Sequence, residues 1–216
     1  MRAGTRSAPE GRALSAIAAH RDRHGQPLDA QVGAVELINV LRPTVAIAHY
    51  VTFVGAALHS HPAWRERLWD DDTAVERFVH EVRRISPFFP AAAARVRVPF
   101  EFGGTHFPAG RLVLFDLYGT NRDPQRWAEP DRFDPDRFGD WDGSPFDFVP
   151  QGGGDHRDGH RCAGEWITID QMQLAARVLT RDIDYTVPSQ DLRVSHRRMP
   201  TGPRSGFVID EVLRRV

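Results

Sequence analysis

The first half of the chain is written in helical code. Ala13, Leu14, Ile17 and Ala18 recur at the spacing of one helix face, and His24-Gly25-Gln26-Pro27 closes that segment. From Asp29 onward, Val32, Val35, Leu37, Ile38, Val40 and Leu41 predict a strongly apolar helix running to about Ser60, where His61-Pro62 stops it or begins the next one. Pro43 lies inside this pattern. It lacks a backbone donor and crowds the carbonyl of Asn39, so a kink is expected there. A short helix around Ala63 to Leu68 follows, then a longer one from about Thr73 to Ile85, with Thr73 as N-cap and Glu76 at capping-box distance. Ser86-Pro87-Phe88-Phe89-Pro90 ends it.

After Pro90 the period changes. Arg95-Val96-Arg97-Val98 alternates as a strand does, Gly103-Gly104 marks a turn, and Arg111 to Leu117 predicts a short apolar strand. Gly119 to Pro150 is long and irregular, dense in Asp, Pro, Arg, Trp and Phe; a loop of that length is functional or wraps a core. Gln151 to Gly164 is rich in glycine and histidine. A helix then starts near Ala163 or Gly164, with Met172, Ala175, Ala176, Leu179 and Ile183 on one face, and the tail alternates between short strands and turns. The fold class is mainly α with small β-sheets.

Composition narrows the function. The 216 residues suffice for one ordinary domain or two small ones, and 28 basic against 29 acidic side chains leave no electrostatic footprint for nucleic acid or an anionic membrane. One cysteine forms no intramolecular disulfide, and Met1 to Glu10 holds no apolar run of a secretory leader, so a soluble, cytoplasmic chain is expected. Pro43 to Trp64 lacks Asp, Glu, Lys and Arg over a length that suggests a membrane span. His49, His59, His61, Thr52, Ser60 and two prolines within it favour a buried core helix instead.

Cys162 sits in Gly159-His160-Arg161-Cys162-Ala163-Gly164-Glu165-Trp166, just before a predicted helix. The helix N-terminus and Arg161 both favour a thiolate, the form that a metal ligand or nucleophile requires. Flanking glycines let backbone approach a bound group closely. Four readings stand together: a zinc site of His156, His160 and Cys162 with Asp155 or Asp158; a phosphate cradle at Gly152-Gly153-Gly154; a nucleophilic cysteine; and a single thiolate on haem iron.

Glu81-Val82-Arg83-Arg84 fits an E-x-x-R signature, Asp134-Pro135-Asp136-Arg137-Phe138 contains P-x-R-F, and Phe148 through Gly164 is a glycine-rich loop ending in Cys-x-Gly before a helix. That order resembles the C-terminal half of the cytochrome P450 superfamily. More narrowly, it is similar to the branch of fatty-acid peroxygenases. Leu41-Arg42-Pro43-Thr44-Val45-Ala46, Asp116-Leu117-Tyr118-Gly119-Thr120-Asn121, Phe148 to His156, Gly159 to Cys162 and Arg198-Met199-Pro200 carry that narrower likeness, which extends from about Ser7 to Ile209. Two departures from the superfamily pattern accompany it. Phenylalanine and arginine usually stand seven and two residues before the cysteine, where this chain has Asp155 and His160 in a longer loop. The acid–threonine pair of the central helix is replaced by Arg42-Pro43. Both departures are features of the peroxygenase branch.

The resemblance implies a partial haem-thiolate domain over 1–216: a long kinked central helix, an E-x-x-R helix, a meander loop, the cysteine loop and the helix after it. It implies haem b (iron protoporphyrin IX) ligated by Cys162, with Glu81, Arg84 and Arg137 locking the meander loop in a structural role. Arg42 would bind the carboxylate of a fatty acid and so serve catalysis, since a guanidinium stays charged and grips a carboxylate through two parallel bonds. Hydrogen peroxide would be the co-substrate, with no reductase. The product would be an α- or β-hydroxy acid, or a terminal alkene after loss of carbon dioxide. A complete member is about twice as long, so the N-terminal half is expected as a missing partner, and a non-catalytic haem-binding remnant is the rival reading.

Overall fold

The computed structural model describes residues 8–215; most of Met1 to Glu10, on which the leader was judged, lies outside them. The chain divides into two compact units, Met1–Ala48 and His49–Val216. In the first, helix α1 (Ala13–Ala19) is followed by a turn built on Asp22, whose Oδ1 accepts from the amides of His24 at 2.8 Å and Gln26 at 2.9 Å. Helix α2 (Ala30–Ser60) begins behind Asp29, whose carboxylate accepts from Gln31 N at 2.8 Å. The helix runs through Pro43 without a break in its assignment. The expectation of a buried core helix over Pro43 to Trp64 holds only in part: Val45 is 66% exposed and burial begins at Tyr50, while Val35, Ile38 and Leu41, ahead of that stretch, are exposed as well. By length and composition alone α2 is long and apolar enough to cross a membrane.

The second unit takes over α2 from His49, and here the helix is buried at Tyr50, Phe53, Val54, Gly55 and Leu58. Gly55 is required by packing, because a Cβ there would run into the Phe207 ring. Helix α3 (Ala63–Asp70) leads to α4 (Asp72–Ile85). The N-cap of α4 is Asp71, not Thr73. Asp71 is the residue in extended conformation, and its carboxylate accepts from Ala74 N at 3.0 Å. Val75, Phe78, Val79 and Val82 form the buried apolar face of α4 at helical spacing, and Glu81, Arg83 and Arg84 are buried beside them.

Strand β1 (Ala91–Arg95) pairs antiparallel with β4 (Leu112–Asp116), while β2 (Phe100–Phe102) and β3 (Thr105–Phe107) form a hairpin across Gly103-Gly104, whose φ values are +56° and +74°. Positive φ at both central residues suits the twist of a two-residue hairpin. The first strand therefore lies earlier than the Arg95–Val98 alternation suggests. A short α5 (Leu117–Thr120) and a 3-10 turn (Pro135–Phe138) punctuate the long irregular stretch. Helix α6 (Glu165–Arg177) widens into a π turn (Val178–Asp182) before β5 (Ile183–Thr186), which pairs with β6 (Asp210–Arg214). Trp127, Phe138 and Phe148 form a satellite core with Trp141, so the irregular stretch does wrap a core of its own.

Candidate functional site

Three of the residues singled out in the sequence come together. Glu81 and Arg84, one turn apart on α4 and both fully buried, pair through two bonds: Arg84 Nε to Oε2 at 2.7 Å and Nη2 to Oε1 at 2.8 Å. Arg137 Nε, from the 3-10 turn, lies 3.3 Å from the same Oε2, an ion pair off the hydrogen-bonding direction. The remaining donors reach the loop backbone. Arg84 donates to the carbonyls of Asn121 and Pro130 at 2.9 Å each, Arg137 donates to that of Ala128 at 2.8 Å, and Asp134 N donates to Glu81 at 2.8 Å. One carboxylate and two guanidiniums thus fasten the stretch from Asn121 to Asp134.

Cys162 is exposed on the loop immediately before α6. Its backbone is held on both sides: its N–H donates to the carbonyl of Gln151 at 2.9 Å, and its carbonyl accepts from Glu165 N at 3.1 Å. The loop closes tightly upon itself. Gly152 has φ +93°, and a Cβ there would collide with the carbonyl of His160. The structure removes two of the four readings of this loop. Gly152 and Gly154 donate their amides to the carbonyls of Val149 and Pro145, so they do not form a cradle for phosphate. No three His, Cys, Asp or Glu side chains converge as metal donors among the described residues, which corrects the zinc reading; His156 stacks on Trp166 instead, with centroids 4.8 Å apart. The neighbouring Arg161 donates to Glu165 at 2.5 Å, and no basic group is bonded to the cysteine sulfur among the described residues.

A lone exposed sulfur is a poor site for a bare metal ion, which needs three or four side-chain donors. It fits an iron whose equatorial positions are already filled by the four nitrogens of a macrocycle. The donor set present therefore suits haem.

Arg42 lies in the N-terminal unit and Cys162 in the C-terminal one. Arg42 is exposed and has no ion-pair partner among the described residues. Its helical neighbours Ile38, Leu41 and Val45 are exposed and apolar.

Several residues of the site escaped the sequence reading. Arg83, 1% exposed, pairs with Glu165, 2% exposed, and donates to Gln151 Oε1 at 3.1 Å. Burial pushes the Glu165 carboxyl up, but the Arg161 hydrogen bond and the charge of Arg83 outweigh it and hold the group below its ordinary range. Asn121 Oδ1 accepts from Val149 N at 2.8 Å and so ties the start of the meander to the start of the cysteine loop. The one available signal was Glu165 four residues after Arg161, the spacing of a helical ion pair.

The cytochrome P450 family profile matches residues 73–199. Among solved structures, cytochrome P450SP alpha in complex with (R)-ibuprophen is 52% identical, with a TM-score of 0.89 over 98% of this chain and 52% of its own. Cytochrome P450EX alpha with myristic acid is 50% identical, TM-score 0.88, over 96% of this chain and 51% of its own. A phenylalanine-to-alanine variant of cytochrome P450 OleT in complex with arachidonic acid is 41% identical, TM-score 0.89, over 100% of this chain and 51% of its own. The chain spans about half the length of each of these proteins. A profile match over more than half of the sequence, on a fold that superposes this closely, leads to one assignment: the chain belongs to the cytochrome P450 family.

Proposed function

We propose that this chain forms the C-terminal part of a haem-thiolate peroxygenase that uses hydrogen peroxide to hydroxylate long-chain fatty acids at the α or β carbon. Cytochrome P450 proteins carry haem b, and here Cys162 would hold its iron. When bound, haem supplies a redox-active iron able to deliver oxygen from peroxide to an unactivated C–H bond. The chain's own residues supply the rest. Glu81, Arg84 and Arg137 fix the meander loop and act structurally. Arg42 is the substrate-binding and catalytic residue: its guanidinium anchors the carboxylate, and exposed Ile38, Leu41 and Val45 beside it suit the start of an alkyl chain. The carboxylate held there takes the place of a protein acid–base group in moving the proton of the peroxide. Anchoring by the head group also brings the α and β carbons closest to the held end, and loss of carbon dioxide to a terminal alkene is the competing outcome.

The observation that carries this reading is Arg42, exposed on an apolar helix with no ion-pair partner among the described residues, in a chain whose solved relatives of 41–52% identity hold myristic acid, arachidonic acid or ibuprophen, all of them carboxylic acids. Peroxide supplies both oxygen and oxidising equivalents, so no reductase takes part. A thiol that must remain free suits the cytoplasm.

A second reading, haem binding without turnover, draws support from apolar side chains left exposed in the chain by itself, Phe102 by 74% and Leu114 by 66%. The partner that completes the enzyme would be the segment equivalent to the other half of the solved relatives. An absorption spectrum of the haem-supplemented chain, reduced and exposed to carbon monoxide, tests both. A strongly red-shifted Soret band lost in Cys162→Ser supports thiolate ligation, and peroxide-driven fatty-acid hydroxylation lost in Arg42→Ala supports the full reading. A band without turnover favours the second. No band at all in the haem-supplemented chain sinks an autonomous haem protein.

A further inference from the structure

We propose that Arg83 is a positioning residue for the Cys162 thiolate, one buried guanidinium bracing both ends of the cysteine loop. The inference rests on the reading of Cys162 as the iron ligand. Cys162 is exposed, and no side chain holds its sulfur among the described residues, so the sulfur's place is set by its backbone. That backbone makes two bonds, one to the carbonyl of Gln151 and one from the amide of Glu165. The side chains of these same two residues converge on Arg83. Its Nη2 donates to Gln151 Oε1 at 3.1 Å and pairs with Glu165 Oε1.

The loop is thereby clamped from the rigid side of α4. Gln151 is further held by its Nε2, 3.4 Å from Thr168 Oγ1, and Thr168 in turn donates to the carbonyl of Gly164 at 2.9 Å. Arg161 takes the other oxygen of Glu165, so the carboxylate lies between two guanidiniums. Stability alone is a weak account of this arrangement. Arg83 is 1% exposed, yet its Nε has no hydrogen-bond partner among the described residues, and burying an incompletely satisfied charge is unfavourable. Placement of the loop explains why a cation stands there. Among the described residues Arg84, the next residue, bonds only to Glu81 and the meander backbone, so the two neighbouring arginines serve different loops.

Amide hydrogen exchange on the haem-free chain tests the brace without any haem. Arg83→Met is compared with Met172→Ala, a fully buried α6 position outside the network, at denaturant concentrations giving equal global stability. The amides of Cys162 and Glu165 are expected to exchange at least about tenfold faster in Arg83→Met than in Met172→Ala, the weight of one charge-assisted hydrogen bond. Arg83→Lys keeps a charge for Glu165 but not the fork, so it should restore Glu165 and leave Cys162 fast. If Arg83→Met fails to fold, Gln151→Ala carries the test: Cys162 exchange rises while Glu165 stays slow. In haem-loaded protein, the share of the red-shifted carbon monoxide band should fall in the same variants and not in Met172→Ala. Equal exchange in Arg83→Met and Met172→Ala, or a band indifferent to every substitution at Arg83 and Gln151, overturns the brace. A band absent from the unaltered protein sinks the autonomous haem protein instead, and exchange then decides the brace alone.

Discussion

Replacing Glu81 by glutamine keeps the volume and removes the charge on which the meander loop hangs. Glu81 accepts from Arg84 Nε and Nη2 at 2.7 and 2.8 Å and from Asp134 N at 2.8 Å, with Arg137 Nε at 3.3 Å, and both Glu81 and Arg84 are 0% exposed. Breaking a buried ion pair from one side costs about 3–5 kcal/mol, because the abandoned charge stays buried. Part of that cost is relieved here, since Arg84 keeps its bonds to the carbonyls of Asn121 and Pro130. The expected loss is therefore near the lower end, about 3 kcal/mol for Glu81→Gln, and nearer 5 kcal/mol for Glu81→Ala, which also leaves a void and an unpaired Asp134 amide. Urea unfolding at neutral pH followed by far-UV circular dichroism measures it: with a slope of about 1–3 kcal/mol per molar, the Glu81→Gln midpoint should fall by about 1 M or more. Limited proteolysis should meanwhile open the chain between Asn121 and Asp134. A loss below about 1 kcal/mol, the range of an exposed pair, would refute the reasoning and reduce the triad to a surface decoration.

His80 supplies a pH test. Burial, and then the neighbouring Arg83, push its imidazole down to about 4. Arg83 Nη1 lies 3.1 Å from its Nδ1, while Glu76 lies 3.8 Å from Nε2, and Glu165 and Arg161 add opposing charges nearby. A histidine that stays neutral when folded adds stability above its unfolded value of about 6.5 and loses it as pH falls toward 4, by at most about 3 kcal/mol. The stability difference between His80→Leu and the unaltered chain should therefore shift in favour of the variant between those pH values, and a pH-independent difference would dismiss the histidine as its source. At the start of α4, Asp71→Ala should cost about 1 kcal/mol, whereas Thr73→Ala should change the urea midpoint little; the reverse order would return the cap to Thr73.

What was legible in the sequence was what local pattern dictates. The apolar run predicted α2 almost to the residue: Gly33, Pro43 and Gly55 oppose a helix between Ala30 and Ser60, and these three do not stop one with so many apolar positions. Gly103-Gly104 announced its hairpin by chemistry that other residues adopt only with strain. The misses arise where distant contacts overrule local preference. Ala91-Ala92-Ala93-Ala94 favours a helix by propensity and forms a strand, because Leu112–Asp116 offers it an antiparallel ladder. Thr73 and Asp71 both qualify as caps on composition, and the extended backbone at Asp71, set by the end of α3, decides between them. The apolar run of α2 likewise carries no mark of where burial begins.

The E-x-x-R helix illustrates the same limit at the site. The motif draws the eye to Glu81 and Arg84, whose pairing one helical turn fixes. Arg83 between them carries no local signal, because its partner Glu165 lies 82 residues away. Yet successive residues on a helix point about 100° apart, so two adjacent arginines on α4 inevitably face different neighbours. One turns to the meander and the other to the cysteine loop. Asn121 joins the two loops directly through Val149. The cysteine loop is closed by its own backbone bonds, from Cys162 N to Gln151 and from His160 N to Gly153, and a rigid element adds to that order through side chains. Helix α4 is that element for both loops, through two buried guanidiniums set side by side. For that reason a substitution at Arg83 and one at Arg84 should fail differently: both remove a buried cation and cost stability, but Arg84 variants should loosen the meander, while Arg83 variants should loosen the backbone at Cys162.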